Sequence, residues 1–130
     1  MLKIVFPEFA RTDEILDLLG EPRLPRLDLL LARGQYQLRP PVPFVAGSEF
    51  SGVVDAIGPS TSTDLRVGDA VCGVRQGAWA EFTCVPADRV HPLRAGTSGV
   101  HAAVAASPYS TALYSLRERG SLREGETLLV

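Results

Sequence analysis

The spacing of apolar and polar positions predicts where the chain is extended and where it is helical. LKIVF, residues 2–6, is a short apolar run that reads as a strand stopped by Pro7. RTDEILDLLG fits two forms. One is a helix capped by Thr12, closed by Gly20 and carrying Ile15, Leu16 and Leu19 on one face; the other is an irregular strand. LDLLLARG, residues 27–34, reads as one or two helical turns, and Pro40, Pro41 and Pro43 force residues 35–43 into an extended loop. From Gly47 the period becomes two: Phe50, Gly52, Val54 and Ala56 share one face, and Ser51, Val53, Asp55 and Ile57 the other. GPSTSTD is a turn, and VGDAVCGV follows with Gly68-Asp69 as tight-turn chemistry. QGAWAEFTCVP predicts another alternating strand, with Trp79, Glu81, Thr83 and Val85 opposite Ala78, Ala80, Phe82 and Cys84.

The texture then changes to an alanine-rich helical stretch, TSGVHAAVAASPYSTALYSLRERG. Thr97 or Ser98 is its N-cap, Pro108 breaks it into two helices, and Arg117, Arg119 and Gly120 suit its C-terminal end. LREGETLLV reads as a turn leading into a buried strand. Short, half-apolar strands punctuated by glycine predict a small twisted barrel or sandwich, with helices after it.

Composition narrows the function classes. A length of 130 residues suits one domain, and 45% apolar with 22% charged residues is the balance of a globular protein. A net charge of −2 gives no electrostatic reason for a nucleic-acid or anionic-membrane partner. No apolar run approaches a bilayer span, and the N-terminus lacks the apolar core of a signal peptide, so a cytoplasmic location is expected. Cys72 and Cys84 form no CxxC pair and are expected to be small buried core residues. His91 and His101 lack a partner at ligand spacing and read as surface residues; Arg23, Arg26, Arg33 and Arg39 read as mostly solvated; no GxSxG elbow occurs.

Taken in order, Gly34-Gln35-Tyr36, PPVPFVAGSEFSGVVDAIG, VGDAVCG, GAWAEFTCVPADRVHPL, ASPYSTALYSL and LREGETLLV resemble the medium-chain dehydrogenase/reductase superfamily, over about four-fifths of the chain. The match is nearest to its zinc-independent quinone oxidoreductase-like branch. The resemblance implies a mainly β fold with α: a GroES-like, partly open β-barrel, two short helices and the first strand of a Rossmann domain otherwise missing. It divides the chain into an atypical N-terminal segment (residues 1–26), a GroES-like catalytic and substrate domain (27–125) and the start of a truncated Rossmann domain (126–130). The dinucleotide fingerprint does not occur here, so the resemblance implies NADPH while the main domain that binds it is expected to be absent from this chain.

The same resemblance points to site residues. Zinc alcohol dehydrogenases carry Gly-His-Glu where this chain has Gly47-Ser48-Glu49, and no cysteine precedes Cys72, so no metal site is expected. Stabilisation of a developing enolate then falls to hydrogen bonds. Tyr36, in the family's Gly-x-Tyr loop, is the candidate catalytic donor, with packing of its ring under the loop as the alternative. Ser107, Tyr109 and Thr111 match the helix break that faces the cofactor, with helix-face packing as the alternative. Glu49 is either functional or bonded to backbone donors or an arginine.

The chain departs from the family between EPRLPR and LDLLLARG, where a strand ending in Gly-Val-Asn is deleted; EILDLL is the segment available to fill the gap. Two function classes follow. One is the N-terminal catalytic domain of an NADPH-dependent quinone or enone/enoyl reductase, inactive as an isolated chain and working as a homodimer or with a Rossmann-bearing partner chain. The other is a non-enzymatic GroES-like interaction module or a vestigial truncated product.

Overall fold

The computed structural model describes residues 1–5 and 26–129. The ambiguous stretch after Pro7, the EILDLL segment, Phe6 and Arg23 lie outside the described residues.

The period-two pattern after Gly47 becomes the long strand of the sheet, β2 (Glu49–Ile57). Its inward positions Phe50 and Val54 are 2% and 1% exposed. On one side it pairs with β1 (Leu2–Val5), whose Leu2 and Ile4 are fully buried. On the other it pairs with β3 (Ala70–Val74), through a register running from Glu49↔Val74 to Val53↔Ala70. β4 (Phe82–Val85) flanks β1, and β5 (Val90–Pro92) flanks β3. All neighbours are antiparallel, the order is β4-β1-β2-β3-β5, and among the described residues the sheet does not close into a barrel. Leu2, Ile4, Phe50, Val54, Val71, Ala78, Val85 and Val90 form the core. Each of the larger side chains contributes roughly 1.5–3 kcal/mol on burial.

The β1–β2 ladder slips between Lys3 and Ile4, which face Ala56 and Val54, leaving Asp55 as the extra residue of a bulge. Its carboxylate bonds Lys3 Nζ at 2.7 Å. The Gly68-Asp69 turn forms as predicted: Asp69 N donates to Arg66 O, and Arg66 N to Asp69 Oδ2.

Two sequence expectations fail at the fourth strand. It begins only at Phe82, because Trp79 N donates to Ala46 O and Ala78 N to Gly47 O, tying this segment to a loop instead of to β1. Cys84 is exposed and Cys72 half-buried, so neither is a core residue. The register places Thr83 and Val85 beside buried Ile4 and Leu2, which turns Phe82 and Cys84 outward.

The helices follow the predicted boundaries closely. α1 (Arg26–Ala32) carries the LDLLLA run. α2 (Gly99–Ala103) starts at the N-cap Ser98, whose Oγ accepts from His101 N. α3 (Ala106–Tyr114) follows a break at Val104–Ala105, with Pro108 inside its first turn, where a missing N–H costs nothing. A π-turn over Ser115–Arg119 closes it, with Gly120 N donating to Ser115 O and Leu122 N to Leu116 O. Both histidines are exposed, as expected. Residues 126–129, expected to open a Rossmann domain, are exposed and pair with none of the described strands. Among the described residues no helix is long and apolar enough to cross a membrane.

Candidate functional site

The site begins with a glycine that nothing else can replace. Gly47 holds φ +91°, and a Cβ there would stand 2.3 Å from Trp79 Cδ1 and 2.5 Å from Trp79 N. Its carbonyl accepts from both Gly77 N and Ala78 N, at 2.8 and 3.1 Å. This knot fixes the next two residues, Ser48 and Glu49, at the head of β2.

Ser48 Oγ donates to Asp28 Oδ2 at 3.1 Å. Asp28 lies in the first turn of α1, with only 1% of its surface exposed. Burial raises its carboxyl above the ordinary carboxylate range, against a partial lowering by the Ser48 hydroxyl and the Ser48 and Gly47 backbone. Its Oδ1 is buried with no hydrogen-bond partner.

Glu49 reaches the other way. Its Oε1 accepts from Ser107 N at 2.5 Å, so a strand residue supplies the cap of α3 that Ala105 lacks. Negative charge at that helix start also matches the dipole. The Cys72 thiol is pushed up by its burial and then by the Glu49 charge, which keeps it a thiol and not a nucleophilic thiolate.

Between α1, the head of β2 and α3 lies a cleft of about 430 Å³, lined by Leu27, Ser48, Glu49, Ser107, Pro108, Thr111 and Ala112. Its wall is mainly apolar, with Ser48, Glu49, Ser107 and Thr111 as its polar residues. Three of the expected site residues, Glu49, Ser107 and Thr111, therefore converge. Two do not. Tyr109 turns away from the cleft and is 76% exposed, because it sits on the far side of the helix from Ser107, Thr111 and Ala112. Tyr36 is half-buried in the loop after α1 and does not line the cleft. Asp28 was missed in the sequence. Its signal was there, as one acid inside an otherwise apolar helical run.

Comparison with known proteins follows the same outline. Residues 24–95 match the alcohol dehydrogenase GroES-like domain. The chain is 39% identical over 104 residues to quinone oxidoreductase-like protein 2 of Mus musculus, covering 79% of this chain and 29% of that protein. It is 36% identical over 105 residues to the synaptic vesicle membrane protein VAT-1 homolog-like of Homo sapiens, covering 80% and 25%. The crystal structure of that human protein superposes with a TM-score of 0.78 at 31% identity, over 95% of this chain and 35% of its own. A mycobacterial protein, Rv1454c, solved in complex with NADPH, superposes with a TM-score of 0.74 at 29% identity, over 96% and 35%. The chain thus spans about a third or less of the length of these relatives.

Proposed function

The chain belongs to the alcohol dehydrogenase GroES-like domain family, and from that premise we propose that it is the substrate-side domain of an NADPH-dependent, zinc-independent oxidoreductase acting on quinones or enones. The observation that carries this reading is the cleft, which gathers Ser48, Glu49, Ser107 and Thr111 against an apolar wall. An apolar slot with a few hydroxyls suits a flat carbonyl compound. Serine in place of histidine before Glu49 supports the zinc-independent reading, because a hydroxyl is not among the usual zinc donors.

The residues present fit one end of the cofactor only. The start of α3 is already taken by the Glu49 carboxylate, which repels a phosphate there. The Thr111 hydroxyl suits the uncharged carboxamide ring instead. When bound, NADPH supplies the hydride. The cleft walls orient the carbonyl compound and exclude water, and Glu49 holds α3 in place. The phosphates would need a Rossmann segment, in the same polypeptide or in a partner chain, because no G-x-G-x-x-G run occurs in these 130 residues.

The test has two parts. The intact mass of the polypeptide made by its natural source is measured against 14.0 kDa. That polypeptide is then assayed for NADPH oxidation with duroquinone as acceptor. Turnover is expected; none, with or without a Rossmann-bearing partner, would refute the reading. A second reading, a non-enzymatic interaction module, is favoured by one observation. Tyr109, Leu113 and Tyr114 on α3 are 76%, 54% and 56% exposed, an apolar surface open for pairing. Robust NADPH oxidation would rule it out.

A further inference from the structure

We propose that Ser48 and Asp28 form a proton-relay pair serving the cleft: the Ser48 hydroxyl passes a proton to a carbonyl oxygen bound there, and Asp28 resupplies it. The inference rests on the oxidoreductase reading and adds to it the route of the proton.

Three observations carry it. Ser48 lines the cleft. Its hydroxyl donates to Asp28 Oδ2 at 3.1 Å; with a proton on the carboxyl the bond reverses, so Ser48 Oγ accepts from Asp28 and its own O–H is released to donate into the cleft. Asp28 is almost wholly buried, and its Oδ1 has no partner. A bare carboxylate oxygen in that position is costly, and a proton on the carboxyl removes the charge. Burial raises the group in the same sense.

The charged surroundings do not undo this. From β2, Glu49 is engaged with Ser107 N. From the loop after β3, Arg75 donates its backbone N–H to Ser48 O, while its Nε is buried without a partner. The α3 residues that line the cleft, Ser107, Pro108, Thr111 and Ala112, carry no charge. On α1's own end Arg33 is exposed. Among the described residues none forms an ion pair with Asp28.

The step balances. NADPH, when bound, would supply the hydride and leave as the oxidised cofactor, so the substrate would need one proton from the chain. The Ser48 O–H bond breaks as an O–H bond forms on the substrate's oxygen. The Asp28 O–H bond breaks as the Ser48 O–H bond is remade. Asp28, now a carboxylate, recovers its proton by the reverse path, through Ser48 from water in the emptied cleft. Ser48 is the group that touches substrate; Asp28 is a positioning residue that acts through it.

The natural polypeptide carrying this chain is assayed with NADPH and duroquinone, as wild type and as Ser48→Ala, Ser48→Thr and Asp28→Asn. Ser48→Ala is expected to lower kcat about a hundredfold with KM little changed, and Ser48→Thr, which keeps a hydroxyl, to recover most of it. Asp28→Asn is expected to lower kcat similarly and to remove from the pH profile the fall in rate that accompanies ionisation of the Asp28 carboxyl, which a purely structural role would not do. Infrared titration gives a readout independent of turnover: the protonated-carboxyl band of a buried acid should vanish in Asp28→Asn and shift in Ser48→Ala. If the wild type turns over and Ser48→Ala keeps kcat within about threefold, the relay is overturned and the oxidoreductase reading stands. If the infrared band is unchanged in Ser48→Ala, the pair is likewise overturned. A wild type that does not oxidise NADPH overturns the oxidoreductase reading and the relay with it.

Discussion

Replacing Gly47 by alanine tests the knot that sets the head of β2. Two costs add. A side chain at φ +91° sits in strained backbone, worth roughly 1–3 kcal/mol. The new methyl also meets Trp79 Cδ1 at 2.3 Å and Trp79 N at 2.5 Å. The indole's root cannot swing away, because Trp79 N is held on Ala46 O at 2.9 Å, so overpacking adds about 2–3 kcal/mol. The sum, about 4 kcal/mol, is a large share of a stability of order 5–15 kcal/mol. Gly68 provides the control: its φ is +95°, yet nothing lies within 4 Å of a Cβ there, so Gly68→Ala carries the strain alone. Urea unfolding of both variants, with slopes compared to confirm two-state behaviour, separates the terms. Gly47→Ala should lose about 2 kcal/mol more than Gly68→Ala and melt about 8 °C lower. Equal losses, within about 0.5 kcal/mol, would refute the packing argument.

Three further outcomes are expected. Glu49→Ala removes the borrowed cap of α3, so the Ser107 amide should exchange its hydrogen roughly fivefold faster, a local loss of about 1 kcal/mol, while the β2 amides stay protected; exchange followed by mass spectrometry or NMR checks this. Asp28 is raised in the folded state, so the native chain holds its proton where the unfolded chain has lost it. Its contribution to stability therefore falls as pH rises from the ordinary carboxylate value of 3.8 through the raised folded one, and urea midpoints across that window should lose this slope in Asp28→Asn. Iodoacetamide should label exposed Cys84 well before Cys72, whose thiol is half-buried and raised by burial and by Glu49; the reverse order in a timed peptide map would contradict the register of β4.

What the sequence made legible follows from how strongly each pattern was forced. β2 was readable because Phe50 and Val54 fall on one face of an unbroken period-two run. That the alanine-rich stretch splits into two helices was readable from a cap and a proline, both local signals, but the split falls at Val104–Ala105 and not at Pro108, which lies inside α3. β4 was not, because its two faces are equally apolar: Thr83 and Val85 on one, Phe82 and Cys84 on the other. Only pairing with Leu2 and Ile4 chooses between them, and that choice is made some eighty residues away. At the site, Glu49, Ser107 and Thr111 were found through resemblance. The bond that brings Glu49 to Ser107 joins residues far apart in the chain, which no local pattern encodes. Asp28 was overlooked for a related reason. An acid in an apolar helix reads as solvent-facing until a hydroxyl from another element covers it.

The strand order has a consequence for how the protein is made. β1 lies between β2 and β4, so one of its two neighbours is translated long after it. At common rates of protein synthesis about 80 residues, or roughly 4–16 seconds, separate the emergence of Val5 from that of its partner Phe82. β2 and β3, joined by a short connection, can zip on the ribosome much earlier. Through that interval Leu2 and Ile4 have no finished sheet to enter. The nascent chain is sticky at β1, and a holding chaperone would find its footing there.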